Sequence, residues 1–128
     1  MHVAIIGGAS TIATTVAHTL AGVAPTVDVS LVDLNEGAAW AHAKDVTHAT
    51  YHFSNAPGST VSGDEVGTIR AARPDELADL DPDFIVFNAA APQPEDATDR
   101  GAREAELDRN LPIVESVAED LQPLDPTP

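Results

Sequence analysis

Cysteine is absent from these 128 residues, so neither a disulfide framework nor a thiolate site is available. Lysine is nearly absent too. Lys44 stands alone, and six basic residues face 21 acidic ones for a formal net charge of −15. That balance argues against nucleic acid or an anionic membrane as a partner, because their phosphates would be repelled. No run of 18 apolar residues occurs, and no basic segment is followed by a signal-type apolar stretch. With no thiols to keep reduced or oxidised, a soluble cytoplasmic protein is the plain expectation. Internal repeats are missing as well.

A hydrophobic fraction of 43% opposes disorder, the usual fate of so charged a chain. The length suits one domain with a single core. The acids gather in turns and on helix exteriors: Asp75, Glu76, Asp79, Asp81 and Asp83, then Glu95, Asp96 and Asp99, then Glu104, Glu106 and Asp108. An acidic, lysine-poor surface over an ordinary core resembles the halophilic composition of salt-loving archaea, in which concentrated salt screens self-repulsion. Marginal stability is expected at low salt.

The first third is the most informative stretch. Val3–Ile6 is a β-branched run suited to a strand buried on both faces of a parallel sheet. Gly7-Gly8-Ala9-Ser10 is a small-residue turn through which a backbone can approach a ligand closely. A helix over Thr11–Ala21 follows, and its positive dipole end suits an anion. Val27–Val32 reads as the next strand. Asp33 ends it, 20 positions after Ala13, where a carboxylate accepts the ribose hydroxyls of a dinucleotide. This order of elements is a Rossmann opening. In a GxxGxxG frame starting at Gly7, Ser10 and Ala13 replace the later glycines. Ala13 meets the need for a small residue, while Ser10 either crowds a pyrophosphate or donates its hydroxyl to it. A strand, turn and helix with no ligand is the blander alternative.

Beyond Asp33, Asn35 is placed to cap a helix over Glu36–Thr50, with Ala38, Ala39, Trp40, Ala43, Val46 and Thr47 available for its packed face. Ser59–Gly63 is a weak strand candidate and Gly67–Ala71 another. Asp75–Leu80 suits a short helix or turn. Phe84–Asn88 (FIVFN) reads as a central strand, and Ala89-Ala90-Ala91-Pro92 is its small-residue exit. Pro92–Asp99 suits a mobile loop. Ala102–Leu121 reads as the last helix, bent or interrupted near Pro112. The expected architecture is an α/β doubly wound parallel sheet of about four strands in the order 3-2-1-4. A nucleotide-binding domain would occupy residues 1–121, with a proline-rich tail over 122–128. Ligands bind outside the carboxyl ends of strands one and four in such a sheet, so Gly7–Ile12, Asp33 and Ala89–Ala91 converge.

The segment DLNEGAAWAHAKDVTHA, Asp33 to Ala49, resembles the lactate/malate dehydrogenase family, which carries an acid at this strand end and a D-[LV]-x-H-[AG] signature. Here that signature is Asp45-Val46-Thr47-His48-Ala49. The turn resembles the malate branch, and FIVFNAAAP resembles the family's strand, T-A-G and proline. Arg103 and Asn110 keep the seven-residue spacing of a substrate-contacting arginine and a cofactor-contacting asparagine. The resemblance covers most of the chain. It implies NAD as cofactor, held by Gly7, Gly8, Ser10, Thr11, Ile12, Asp33, Ala89, Ala90 and Asn110. The carboxylate of Asp33 disfavours the 2′-phosphate of NADP. It implies a dicarboxylate or other 2-hydroxy acid as substrate, held by Arg103 and Arg100. Association into a homo-oligomer through the helix matching Glu36–Thr50 is a further implication.

Gln93 stands where the family places a loop arginine, and no guanidinium fork is available there to fix a dicarboxylate. None of His2, His18, His42, His48 and His52 matches the family's catalytic histidine, and its aspartate–histidine pair is expected beyond residue 128. No catalytic residue is therefore assigned within this chain. His48 and His52 share a helix face, but with no third ligand in a suggestive position no metal site is expected. Arg103 has an alternative role in a surface pair with Glu106. Two other functions remain open: a fragment of a short-chain or sugar-nucleotide dehydrogenase, or a non-catalytic nucleotide-binding module. Tyr51 and Lys44 stand in the wrong order for the short-chain Tyr-x-x-x-Lys pair.

Overall fold

In a computed structural model the described residues are 1–92 and 102–124. Four parallel strands form one sheet: β1 (His2–Ile6), β2 (Asp28–Val32), β3 (Ile69–Ala72) and β4 (Phe84–Phe87). Their spatial order is β3-β2-β1-β4. This is the expected Rossmann order for the first four strands, reversing direction between β1 and β4.

Helices α1 (Thr11–Val23) and α2 (Glu36–Ser54) cover one face. Val3, Ile5, Val29 and Leu31 project from the sheet onto Ala13, Ala17 and Ala21 of α1 and onto Ala39, Ala43 and Val46 of α2. The four-residue spacing of the α1 alanines places them on one stripe, and their small side chains let the helix lie close to the strands. The opposite face carries Ala4, Ile6, Val32 and Ala72, packed by Leu77 of the short α3 (Leu77–Leu80) and Val117 of α4 (Ala102–Leu121). Strand alternation thus divides one sheet into two cores.

Several expectations change. Ser59–Gly63 forms no strand; Gly63–Glu65 is a 3-10 turn, and β3 comes instead from the second candidate, shifted to Ile69–Ala72. Val29 pairs with Ile69 and Val32 with Ala72, which fixes that choice. Helix α2 continues through Ser54 because Thr50 and Ser54 extend the buried stripe of Ala39, Ala43 and Val46. Trp40 and Thr47 lie off that stripe and are exposed, and Lys44 Nζ stands 5.7 Å from the Trp40 ring centroid. Pro112 does not interrupt α4, which is one element across it. Strand β4 is not central among the described residues: it pairs with β1 alone. Phe84 is accordingly 59% exposed and Phe87 45%. The expected Pro92–Asp99 loop, apart from Pro92, lies outside the described residues, as does Arg100.

Candidate functional site

The site begins where β1 ends. Gly7 has φ +86°, a left-handed conformation that side chains disfavour. A Cβ there would also stand 2.7 Å from the backbone N of Ala89, so the exits of β1 and β4 touch backbone to backbone. At Gly8 a Cβ would come within 2.7 Å of the Leu31 backbone. Only two glycines fit this crossing.

Most N–H groups of the turn already have partners. Gly7 and Gly8 both donate to the Val32 carbonyl, at 2.9 and 3.0 Å, and Ser10 donates to the Gly7 carbonyl at 3.1 Å. Ala9 donates to Asp33 Oδ2 at 2.9 Å. Ser10 is the N-cap of α1: its Oγ accepts from the Ala13 N–H at 3.1 Å and also from Asn88 Nδ2. The first N–H groups of a helix have no partner within it. Among the described residues this leaves those of Thr11 and Ile12, both exposed, as the open donors of the turn.

Asp33 is half-buried at the end of β2. Its Oδ2 accepts from Ala9, and its Oδ1 from the Asn35 N–H at 2.8 Å. A carboxylate has about four acceptor positions, so two remain for ligand hydroxyls. Sequence reasoning did not foresee this second duty, in which Asp33 also closes the turn.

The third contribution is the exit of β4. Asn88 continues the ladder by donating to the Ile6 carbonyl at 2.8 Å, and its side chain reaches Ser10. Ala89 and Ala90 line a cleft of about 560 Å³ together with Ile6, Gly7, Ser10, Ile12 and Asp33. Its far wall is α4, through Ile113, Ser116, Val117 and Asp120. Asn110 does not line it; its Oδ1 accepts from the Ala91 N–H at 2.7 Å and ties α4 to the strand exit. Arg103 is exposed on α4, and the alternative ion pair with Glu106 is not formed among the described residues.

Three contributors went unforeseen: Asn88, the α4 wall, and a charged group beside Asp33. Arg73 follows β3 and donates from Nε to Asp75 Oδ1 at 2.9 Å and from Nη2 to Asp75 Oδ2. That contact holds the Asp75 carboxyl below its ordinary range and raises the Arg73 guanidinium further. The charge pattern was visible in the sequence, but its place beside the cleft was not. No group of three or more metal-binding side chains comes together among the described residues, and His48 and His52 are both exposed on α2.

No protein-family model and no curated protein sequence matches the chain. Among solved structures it is similar to the apo form of malate dehydrogenase from Picrophilus torridus, with a TM-score of 0.70 and 23% identity. The match covers 98% of this chain and 35% of that one, so the chain spans about a third of that structure's length. The shared property is the fold. No helix among the described residues is long and apolar enough to cross a membrane.

The residues suit a dinucleotide. The cleft volume lies within the range of small-ligand sites, and its apolar walls are suited to sandwiching a purine ring. A glycine crossing, open N–H groups at a helix start and an acid at the neighbouring strand end converge on it.

Proposed function

We propose that the chain is the NAD-holding part of a dehydrogenase of the malate/lactate type, acting on a 2-hydroxy acid. One observation carries this reading: Gly7, Ser10 and Ile12 of the turn, Asp33 and the Ala89-Ala90 exit line one cleft at the point where the strand order reverses, while Gly8 and Thr11 stand beside it in the same turn. The likeness to a malate dehydrogenase supports the fold on which it rests.

Each residue has a specific task. Thr11 and Ile12 donate their N–H groups to the pyrophosphate, strengthened by the dipole of α1. Asp33 accepts the 2′- and 3′-hydroxyls of the adenosine ribose. Ile113 and Val117 hold the purine against Ala89 and Ala90. When bound, NAD supplies the hydride acceptor. The present histidines are not placed to take the substrate proton, since none of the five lines the cleft. His2 is committed within the sheet, with Nε2 2.8 Å from Ser30 Oγ and Nδ1 3.0 Å from the Leu80 carbonyl. Turnover therefore requires a base other than these histidines, and Arg103 and Arg100 are the residues of this chain proposed to bind the substrate. Tyr51 and Lys44 lie on α2 and do not line the cleft, so nothing here favours a short-chain mechanism. A cytoplasmic setting, concentrated salt and self-association through α2 belong to the same reading. Trp40, Tyr51 and Phe53 on that helix are exposed.

The test is a calorimetric titration with NAD and NADP in multimolar KCl, with Asp33→Ala and Asp33→Asn alongside. NAD should bind. Losing charge-assisted bonds worth about 1.5–3 kcal/mol each should weaken it at least tenfold in Asp33→Ala. Asp33→Asn separates charge from shape, because an amide keeps one acceptor for the turn. A folded sample that binds neither nucleotide would reduce the proposal to a likeness of fold.

A further inference from the structure

Past Asp33 the cleft opens into a second recess of about 360 Å³, which shares Asp33 and Asp120 with it and adds Glu36, Arg73 and Asp75. The two meet because β2 and β3 end side by side: the Asp33 N–H donates to the Ala72 carbonyl at 3.2 Å. Arg73 is therefore the cation of the recess, beside the carboxylate assigned to the ribose, with four carboxylates around it.

Its guanidinium is committed elsewhere. Pro74 opens a one-turn 3-10 helix over Pro74–Glu76 that brings Asp75 back onto Arg73. The Nε–Oδ1 bond is 2.9 Å and a second bond joins Nη2 to Oδ2, a two-point fit of guanidinium to carboxylate. Glu36 Oε1 approaches the same Nε at 3.5 Å from the start of α2. The main chain is fixed as well, the Arg73 N–H donating to Glu76 Oε2 at 2.6 Å. The charge is thus held by three contacts from two elements, in a region otherwise acidic.

We propose that Asp75, with Glu36, is a specificity-determining residue that withholds Arg73 from the ligand. The inference rests on the dinucleotide reading and deepens it. A phosphate on the ribose 2′ oxygen would bring a charge of about −1.5 to −2 into this recess. An arginine at this location is the usual means of accepting it. Here Asp75 and Glu36 occupy that arginine, and Asp33 and Asp120 add repulsion. Rejection of the phosphorylated dinucleotide therefore comes from the Arg73 group as well as from Asp33. A plain hydroxyl donor is accepted.

Titrations with NAD and NADP test this, run at the lowest KCl at which circular dichroism shows a folded chain, since concentrated salt would screen the effect. The wild type should bind NAD and discriminate strongly against NADP. The Glu36→Gln/Asp75→Asn variant should raise the NADP/NAD affinity ratio about tenfold. Asp75→Glu, which keeps the pair, should behave as wild type. Asp45→Asn/Asp64→Asn removes the same charge from exposed positions outside both cavities and should leave the ratio unchanged. NAD binding with an unchanged ratio in the Glu36/Asp75 variant would overturn the inference and leave the dinucleotide reading intact. An equal rise in the Asp45/Asp64 variant would overturn it in favour of net charge. Binding of neither nucleotide by the folded wild type would remove both.

Discussion

The sheet face beneath α1 and α2 is closed by alanines and branched aliphatics, while the face beneath α3 and α4 changes character along its length. The first holds Val3, Ile5, Val29 and Leu31 against six helix residues, five alanines and a valine. The second starts with a polar network, His2–Ser30–Arg70, in which Arg70 Nε donates to Ser30 Oγ at 3.0 Å. It continues as an apolar patch around Leu77 and Val117 and ends in the cleft. Both faces come from the same strands, by alternation. The difference shows where a site becomes possible: the first face is a scaffold, and the second is packed over only part of its length and leaves the rest as an open cleft.

The largest expected effect compares the two directly. Leu31 is fully buried in the first face, so Leu31→Ala should cost about 2–5 kcal/mol in chemical denaturation. Val117, at the edge of the second core, loses two methyl groups on substitution, and Val117→Ala should cost about 1–2 kcal/mol. The order should reverse for NAD affinity, because Val117 lines the cleft and Leu31 does not. Equal destabilisation by the two would mean that α4 is as much scaffold as α1.

The scaffold was the legible part. Val3–Ile6, the alanine stripe of α1 and Val27–Val32 state their periods locally, and the strand order follows from right-handed crossovers. Edges were harder to read. In β3 the sequence Ile-Arg-Ala-Ala has little apolar signal, and pairing with Val29–Val32 decides its register. Phe84–Phe87 reads as a buried strand because its composition is apolar, yet exposure depends on what lies beside it. At the site, Gly7 and Asp33 could be named from spacing. The bonds from Ala9 to Asp33 and from Asn88 to Ser10 could not, since they join residues 24 and 78 positions apart. The charged recess joins Arg73 to Glu36 across two elements in the same way.

Ser10 belongs to both regions and separates their demands. Its hydroxyl accepts from Ala13 and Asn88, which makes it a helix cap, while the donors proposed for the phosphate are the N–H groups of Thr11 and Ile12. Ser10→Ala should therefore cost about 1 kcal/mol, a fall in Tm of about 3–5 °C, and leave NAD affinity within about twofold. Unchanged stability with a large loss of affinity would assign the hydroxyl to the ligand instead.

The smallest effect lies at the rim. The hydrogen bond from Arg73 holds the Asp75 carboxyl below its ordinary value of 3.8. A group whose folded pKa is depressed adds stability above its unfolded pKa and loses it as pH falls through the folded value. The contribution of Asp75 should be complete at neutral pH, decline below about pH 4 and vanish once the folded carboxyl is protonated. Both side chains are more than half exposed, so solvent screens the pair and the effect on global stability is minor. Denaturation midpoints of wild type and Asp75→Asn, compared in pH steps, should differ slightly at neutral pH and converge in acid. A gap that widens on acidification would mean that the folded state raises this carboxyl's pKa. Asp75 would then be the wrong residue to credit with holding Arg73.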